Sequence, residues 1–230
     1  MVLKNLVIPI LIGLMAFLYI FIIPQEPLAL KVVFKLIPMA LIIFYAFRKL
    51  PASPPTALRL VIMGLFFCML GDGFIAVSFV AGLGAFLVGH LFYLTGFLKM
   101  AHITKLRLAA IIPIGLYSFF IGRQLIASLA AEGNDTLVIP VIAYMLVISI
   151  MALSAILTGS KWAIAGSLLF VISDSILSWN MFVSGVVYSD VLIMTTYYSA
   201  QFLIACSLSS IGKREGTITA KIGSDTAIVN

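Results

Sequence analysis

Charge is what this sequence has least of. Asp, Glu, Lys and Arg make up 10% of its 230 residues, against about 25% in a soluble domain, and that leaves no room for a separate soluble domain. Nucleic acid is not an expected partner either. The formal charge is +6, but the basic residues stand singly between apolar runs and no basic patch alternates with aromatics. Histidine and cysteine occur twice each. His102 falls in a loop on the other side of the membrane from His90, so a zinc site is not expected and no cofactor is implied. Cys68 and Cys206 lie inside apolar spans and read as small core residues. There is no P-loop and no nucleophile elbow. The first apolar run ends in Ile23-Pro24-Gln25-Glu26-Pro27 without a small-residue cleavage pattern, so it is expected to stay as a helix and not to leave as a signal peptide.

What remains is apolar: 63% hydrophobic residues and a mean hydropathy of +1.23. With roughly 20 residues per span, the fold class is an all-α polytopic membrane helix bundle of about eight transmembrane helices. The spans read as residues 6–23, 28–47, 56–79, 82–98, 106–128, 136–158, 162–183 and 190–210. Proline, glycine and charge mark the joints, as in Pro24-Gln25-Glu26-Pro27, Pro51-Ala52-Ser53-Pro54-Pro55 and Glu132-Gly133-Asn134-Asp135. Residues 1–211 form a single transmembrane domain, and the polar stretch 212–230 is expected to be a disordered cytoplasmic tail.

Orientation follows from Lys and Arg. The N-terminus, the even-numbered loops and the tail carry Lys4, Arg48, Lys49, Arg59, Lys99, Lys105, Arg107, Lys161, Lys213, Arg214 and Lys221. The odd-numbered loops carry mainly Glu26, Glu132, Asp135 and Asp190. Both termini are therefore expected in the cytoplasm. On that topology Asp72 lies about 10 Å below the outer end of its span at 1.5 Å per residue. Asp174, His90, Tyr197 and Gln201 fall at comparable depth. An isolated charge there costs about 2.5–3.5 kcal/mol even on the lenient insertion scale, so one shared polar cavity is expected. Gly64 precedes Asp72 by eight positions and Gly166 precedes Asp174 by eight, while Pro38 and Pro140 mark the second and sixth spans. A four-plus-four internal repeat would place the two aspartates in equivalent positions facing each other.

Each polar residue has a plain and a functional reading. Asp72, in Leu70-Gly71-Asp72-Gly73-Phe74, either caps a helix break at its glycines or serves as a catalytic carboxylate. Asp174, in Ser173-Asp174-Ser175 with Ser178 on the same face, is either a serine-solvated helix contact or the second carboxylate. As a pair, one would hold a proton as general acid and the other remain an anion. His90 and Tyr93, spaced i, i+3 in Gly89-His90-Leu91-Phe92-Tyr93, are either core residues or groups that orient water and carboxyls. Tyr197 and Gln201 extend the second role to the last span. Lys31 and Lys35, one turn apart, either snorkel to the interface or clamp a phosphate, with Arg123 as a third donor. Two function classes stay open on this evidence. One is an intramembrane enzyme acting on a lipid. The other is a secondary transporter, or a lipid-binding protein, with a charged site in the outer half of the bilayer.

Several motifs together resemble the lysoplasmalogenase, or YhhN-like, family. They are Leu70-Gly71-Asp72-Gly73-Phe74, Gly89-His90-Leu91-Phe92-Tyr93, Phe170-Val171-Ile172-Ser173-Asp174 with Trp179-Asn180, and Val191-Leu192-Ile193-Met194-Thr195-Thr196-Tyr197-Tyr198-Ser199-Ala200-Gln201. Lys31 and Lys35-Leu36-Ile37-Pro38 fit the same pattern. The resemblance implies a multi-pass membrane enzyme whose partners are membrane lipid and a lysophospholipid substrate. It would cleave the vinyl ether bond of lysoplasmalogens to a fatty aldehyde and a glycerophospho-base. On that reading Asp72 and Asp174 are the acid and the stabilising base in undecided order, and no metal or cofactor is required. His90, Tyr93, Tyr197 and Gln201 orient water and carboxyls, and Lys31, Lys35 and Arg123 hold the phosphate. The membrane would be the plasma membrane in a bacterium and the endoplasmic reticulum in a eukaryote.

Overall fold

A computed structural model describes residues 2–228, and side chains between residues 6 and 210. Helices joined by short loops, with no strand, make up those residues: α1 (Val2–Phe21), α2 (Leu28–Lys49), α3 (Thr56–Phe74), α4 (Phe79–Lys99), α5 (Lys105–Leu108), α6 (Ile111–Ala131), α7 (Asp135–Thr158), α8 (Lys161–Phe182) and α9 (Ser189–Ile228). Seven stretches are long and apolar enough to cross a bilayer, with α5 and α6 counted as one and α9 contributing Ser189–Ser210. The apolar part of α1, Leu6–Phe21, is shorter. The protein is a polytopic helical membrane protein. The stretch expected to form a disordered tail, 212–230, lies outside the described side chains.

The helix ends follow from local chemistry. Asp135 and Asp190 sit in the first turns of α7 and α9, while Arg48, Lys49 and Lys99 sit in the last turns of α2 and α4. Each sign thus meets the favourable end of the helix dipole. Two boundaries differ from the sequence reading. The third span ends at Phe74 and not at residue 79, because Ser78 caps α4: its Oγ accepts the Ala81 N–H at 3.3 Å. Asp72 therefore lies in the last turn of α3. The fifth span divides into α5 and α6, and Pro113 near the start of α6 has no N–H with which to continue a helix from α5. At the other end of α7, Gly159 takes φ +69° as the C-cap, a conformation that favours glycine. The Arg107 guanidinium lies over it and donates to the carbonyls of His102 and Leu157 at 3.0 and 3.1 Å.

Six helices close into a ring in the order α2, α3, α4, α7, α8, α9, with α9 returning to α2. Helix α1 lies outside against α2 and α9, and α6 outside against α7 and α8. Two antiparallel pairs, α3 with α4 and α8 with α9, make the tightest seams. Small residues allow this. A Cβ on Gly89 would sit 3.1 Å from the Gly64 carbonyl oxygen. A Cβ on Gly166 would sit 2.9 Å from the Ala200 carbonyl oxygen and 3.0 Å from the Ile204 nitrogen. Large apolar side chains such as Phe119, Phe120 and Ile139 point outward, where lipid and not water meets them.

Because backbone atoms of Ala200 and Ile204 face Gly166, Gly166→Ala should destabilise the protein by about 1–3 kcal/mol through overpacking. Gly73→Ala, with nothing within 4 Å of the added methyl, should leave stability unchanged. Thermal unfolding in detergent measures both.

Candidate active site

Asp72 is placed in the bundle with its charge already answered. Its carboxylate is 2% exposed, Lys35 Nζ of α2 stands 3.3 Å from Oδ1, and the Tyr197 hydroxyl of α9 donates to Oδ2 at 2.6 Å. Lys35 is in turn fixed by its own backbone, whose carbonyl accepts the Tyr198 hydroxyl at 2.8 Å. Consecutive tyrosines on α9 thus hold the base and the acid of one ion pair. Gly71 matters to this arrangement, since a Cβ there would strike the Phe86 ring at 2.8 Å. Gly73, on the other flank, meets nothing.

Asp174 of α8 lies in different surroundings. Its Oδ2 accepts the Tyr144 hydroxyl of α7, and among the described residues no cation pairs with it. Neighbouring serines are occupied elsewhere. Ser173 donates to the Ile193 carbonyl at 3.0 Å and Ser175 to the Val171 carbonyl at 2.7 Å.

Both carboxylates face one cavity of about 250 Å³ within the helix ring. Lys31, Lys35, Tyr144 and Tyr197 contribute to its polar wall, Phe86, Met145, Ile193 and Met194 to its apolar wall, and Asp190 also lines it. Lys31 Nζ reaches the Gln25 side chain in the loop before α2, which places it one turn nearer the end of the bundle than Lys35. The cavity therefore has a cation toward its mouth and two carboxyls further in.

The other residues singled out from sequence divide into two groups. His90, Tyr93 and Gln201 are fully buried and do not line the cavity. Tyr93 donates to Gln201 Oε1 at 2.5 Å. His90 Nδ1 donates to the Phe86 carbonyl at 2.6 Å, and its ring packs edge-on against Phe170 with centroids 4.5 Å apart. His90 Nε2 and Gln201 Nε2 have no hydrogen-bond partner among the described residues. These three form a polar layer in the core, and of the four residues expected to orient water and carboxyls Tyr197 alone touches a carboxylate directly. Arg123 is exposed on α6 and does not line the cavity. Among the described residues no group of three or more His, Cys, Asp and Glu gathers as a metal site would. Sequence reasoning missed Tyr144, the partner of Asp174. Its signal was a lone aromatic in a largely aliphatic span, four residues after Pro140.

Fold and cavity together define an integral membrane protein whose helix ring encloses a carboxyl-lined pocket fitted with lysine. The chain belongs to the YhhN family, whose sequence profile matches residues 30–208. It is 34% identical over 175 residues to bovine lysoplasmalogenase TMEM86A, covering 70% of this chain and 68% of that protein. It is 33% identical over 132 residues to human lysoplasmalogenase TMEM86B, covering 56% of this chain and 54% of that one. A lysoplasmalogenase of Mycobacterium tuberculosis is 30% identical over 156 residues, with 64% and 59% covered. The chain thus spans about half the length of human TMEM86B. No solved structure matches it.

A buried ion pair loses most when one partner is removed alone. Lys35→Met should therefore destabilise the protein by about 3 kcal/mol, with Asp72 left uncompensated. Adding Asp72→Asn should restore much of that loss. A double-mutant cycle on thermal stability is expected to give a coupling of about 1–3 kcal/mol.

Proposed function

We propose that this protein is a lysoplasmalogenase, a hydrolase of the vinyl ether bond in single-chain ether phospholipids. The observation that carries this reading is the unequal environment of the two carboxyls on one cavity. Asp72 has a cation and a hydroxyl donor, which suits a carboxylate that is an anion at rest. Asp174 has the Tyr144 hydroxyl and no cation, which suits a carboxylic acid holding its proton in an apolar setting. The names carried by the bovine, human and mycobacterial relatives support the same activity.

The reaction then follows in balanced steps. Asp174 gives its proton to the outer alkene carbon, whose π electrons form the new C–H bond. The ether oxygen shares the resulting positive charge as an oxocarbenium ion, and the Asp72 carboxylate lies beside it to stabilise it. Water attacks the carbon bonded to oxygen and gives a proton to Asp72, leaving a hemiacetal. In the collapse the hemiacetal hydroxyl returns a proton to Asp174 and the glycerol oxygen takes the proton from Asp72. The C–O bond breaks, releasing aldehyde and glycerophospho-base, and both carboxyls are back in their starting states. Tyr197 and Tyr144 fix the two carboxyls in place. Lys31, one helical turn or about 6 Å toward the mouth from Lys35, takes the phosphate across the length of a glycerol backbone. Lys35 remains with Asp72.

The reading also includes a topology. Lys and Arg gather at the end of the bundle away from the cavity, in the last turns of α2 and α4 and the first turn of α8. Acids occupy the cavity end, at the starts of α7 and α9. With both termini cytoplasmic, the cavity opens to the outer leaflet of a bacterial plasma membrane, or to the lumenal leaflet of the endoplasmic reticulum in a eukaryote. A duplicated architecture fits the ring as well. Exchanging α2-α3-α4 with α7-α8-α9 carries Gly64 onto Gly166 and Asp72 onto Asp174, and preserves each neighbour contact in the ring.

Purified protein given a lysoplasmalogen should release fatty aldehyde and leave the saturated-ether counterpart intact; no aldehyde from the vinyl ether overturns the assignment. Asp72→Asn and Asp174→Asn should each lower kcat by about 10²–10⁴-fold. Lys31→Ala should raise KM by about tenfold with a smaller effect on kcat. Asp72-dependent uptake of a polar solute into vesicles, without aldehyde release, would make the protein a transporter.

A further inference from the structure

The main cavity stops short of what a long-chain lipid needs. At about 250 Å³ it lies just below the usual range of ligand pockets, about 300–1,000 Å³. With the phosphate at Lys31 and the alkene between the carboxyls, the hydrocarbon chain begins at the cavity floor. Below that floor the bundle is closed. Cys68, Tyr93, Phe97 and Phe170 are fully buried there, as is Gln201. The chain has to turn sideways.

One route out exists on the Asp174 side. A narrow cleft of about 30 Å³ lies between α6, α7 and α8, and Tyr144, Met145, Asp174 and Ser178 line both it and the main cavity. Asp174 is thus a wall between two spaces. The far side of the cleft reaches the outside of the bundle at Tyr117, which lines it and is 40% exposed. Three of its four serines present no polar demand to an occupant, and the fourth, Ser178, stands at the junction with the main cavity. Ser118 and Ser149 hydrogen-bond each other at 2.7 Å, Ser149 also donates to the Met145 carbonyl at 2.6 Å, and Ser175 donates to the Val171 carbonyl. What is left to line the passage is Ile121, Leu125, Ile148 and Val171 with the Met145 thioether. The junction is also adjustable. Met145 is an unbranched, flexible side chain, and it abuts α6 at Gly122, where a Cβ would collide with its methyl group. Helix α6 itself buries only Gly122, Leu125 and Leu129, so it can give way by a small amount.

We infer that the α6–α7–α8 cleft is the subsite for the substrate's alkyl chain, which passes Met145 and runs out along α6 into the bilayer. This rests on the lipid-hydrolase reading above and adds to it where chain length is sensed. A chain held there leaves its first methylenes against Tyr144 and Met145, with the reacting bond on the cavity side of Asp174.

The test compares hexadecenyl and butenyl lysoplasmalogens of the same headgroup on the full-length protein in mixed micelles. Ser149→Phe fills the cleft and Met145→Trp plugs its entrance. Each should lower the ratio of long- to short-chain kcat/KM by about tenfold. Leu146→Ala, on the exposed face of α7, should leave that ratio as in the wild type. Met145→Ala, which widens the junction, keeps the test informative where a bulky variant fails to fold, and should raise the ratio. Equal losses on both chain lengths, or a ratio unmoved in all three cleft variants, overturn the inference. If the wild type cleaves neither substrate, the hydrolase reading itself fails; if it cleaves both and only the ratio stays fixed, the subsite alone is wrong.

Discussion

The structure depends on one constraint: a carboxylate at membrane depth must have a partner. Lys35 and Asp72 answer each other across the α2–α3 seam at 3.3 Å, and much of the surrounding packing maintains that distance. Gly71 lets Phe86 come close against α3, Tyr197 takes the second oxygen of Asp72, and Tyr198 holds the backbone of Lys35. In a medium of low dielectric each of these bonds is strengthened, and each lost partner is more costly than it would be at a surface. The pair is therefore the fixed point of the cavity, and Asp174 beside it is held by the Tyr144 hydroxyl and no cation.

Much of this arrangement was legible in the chain because membranes enforce simple rules. Span count, and the placing of Asp72, Asp174, Lys31 and Lys35 at one end of the bundle, follow from apolar run length and from where charge is tolerated. What could not be read was which side chain meets which. Lys35 is as good a phosphate donor as Lys31 on a helix wheel, and only the approach of α3 commits it to Asp72. His90, Tyr93 and Gln201 share the depth of the carboxyls but face the closed core, since a helix position fixes height and leaves rotation to packing. Arg123 shows the same limit on α6, where it turns outward. Tyr144 escaped notice because a single tyrosine in an aliphatic span has many ordinary roles.

The two outer helices pack on the ring in different ways. Helix α1 covers the seam between α2 and α9, whereas α6 shifts across to lie on α7 and α8. Tight glycine-lined seams hold α3 to α4 and α8 to α9, so the rigid framework stays with the carboxyls. The looser packing falls on the flank where α6 rests on few buried side chains. Rigid support at the reacting groups with give at one side is what a site needs if it must position a bond and still admit a long, variable hydrocarbon.

The two polar contacts also bear on how such a chain enters a membrane. Lys35 and Asp72 sit on α2 and α3, Tyr144 and Asp174 on α7 and α8, and in each case the helices are successive long spans joined by a short connection. Each hairpin carries its own polar match, so a carboxyl leaving the insertion machinery meets its partner within the same newly made pair of spans and need not wait in lipid for a distant helix. Only later does α9 arrive, closing the ring on α2 and bringing Tyr197 to Asp72. Biogenesis can therefore proceed through two hairpins whose carboxyls are each already partnered, one by a cation and one by a hydroxyl, with the last span completing the site.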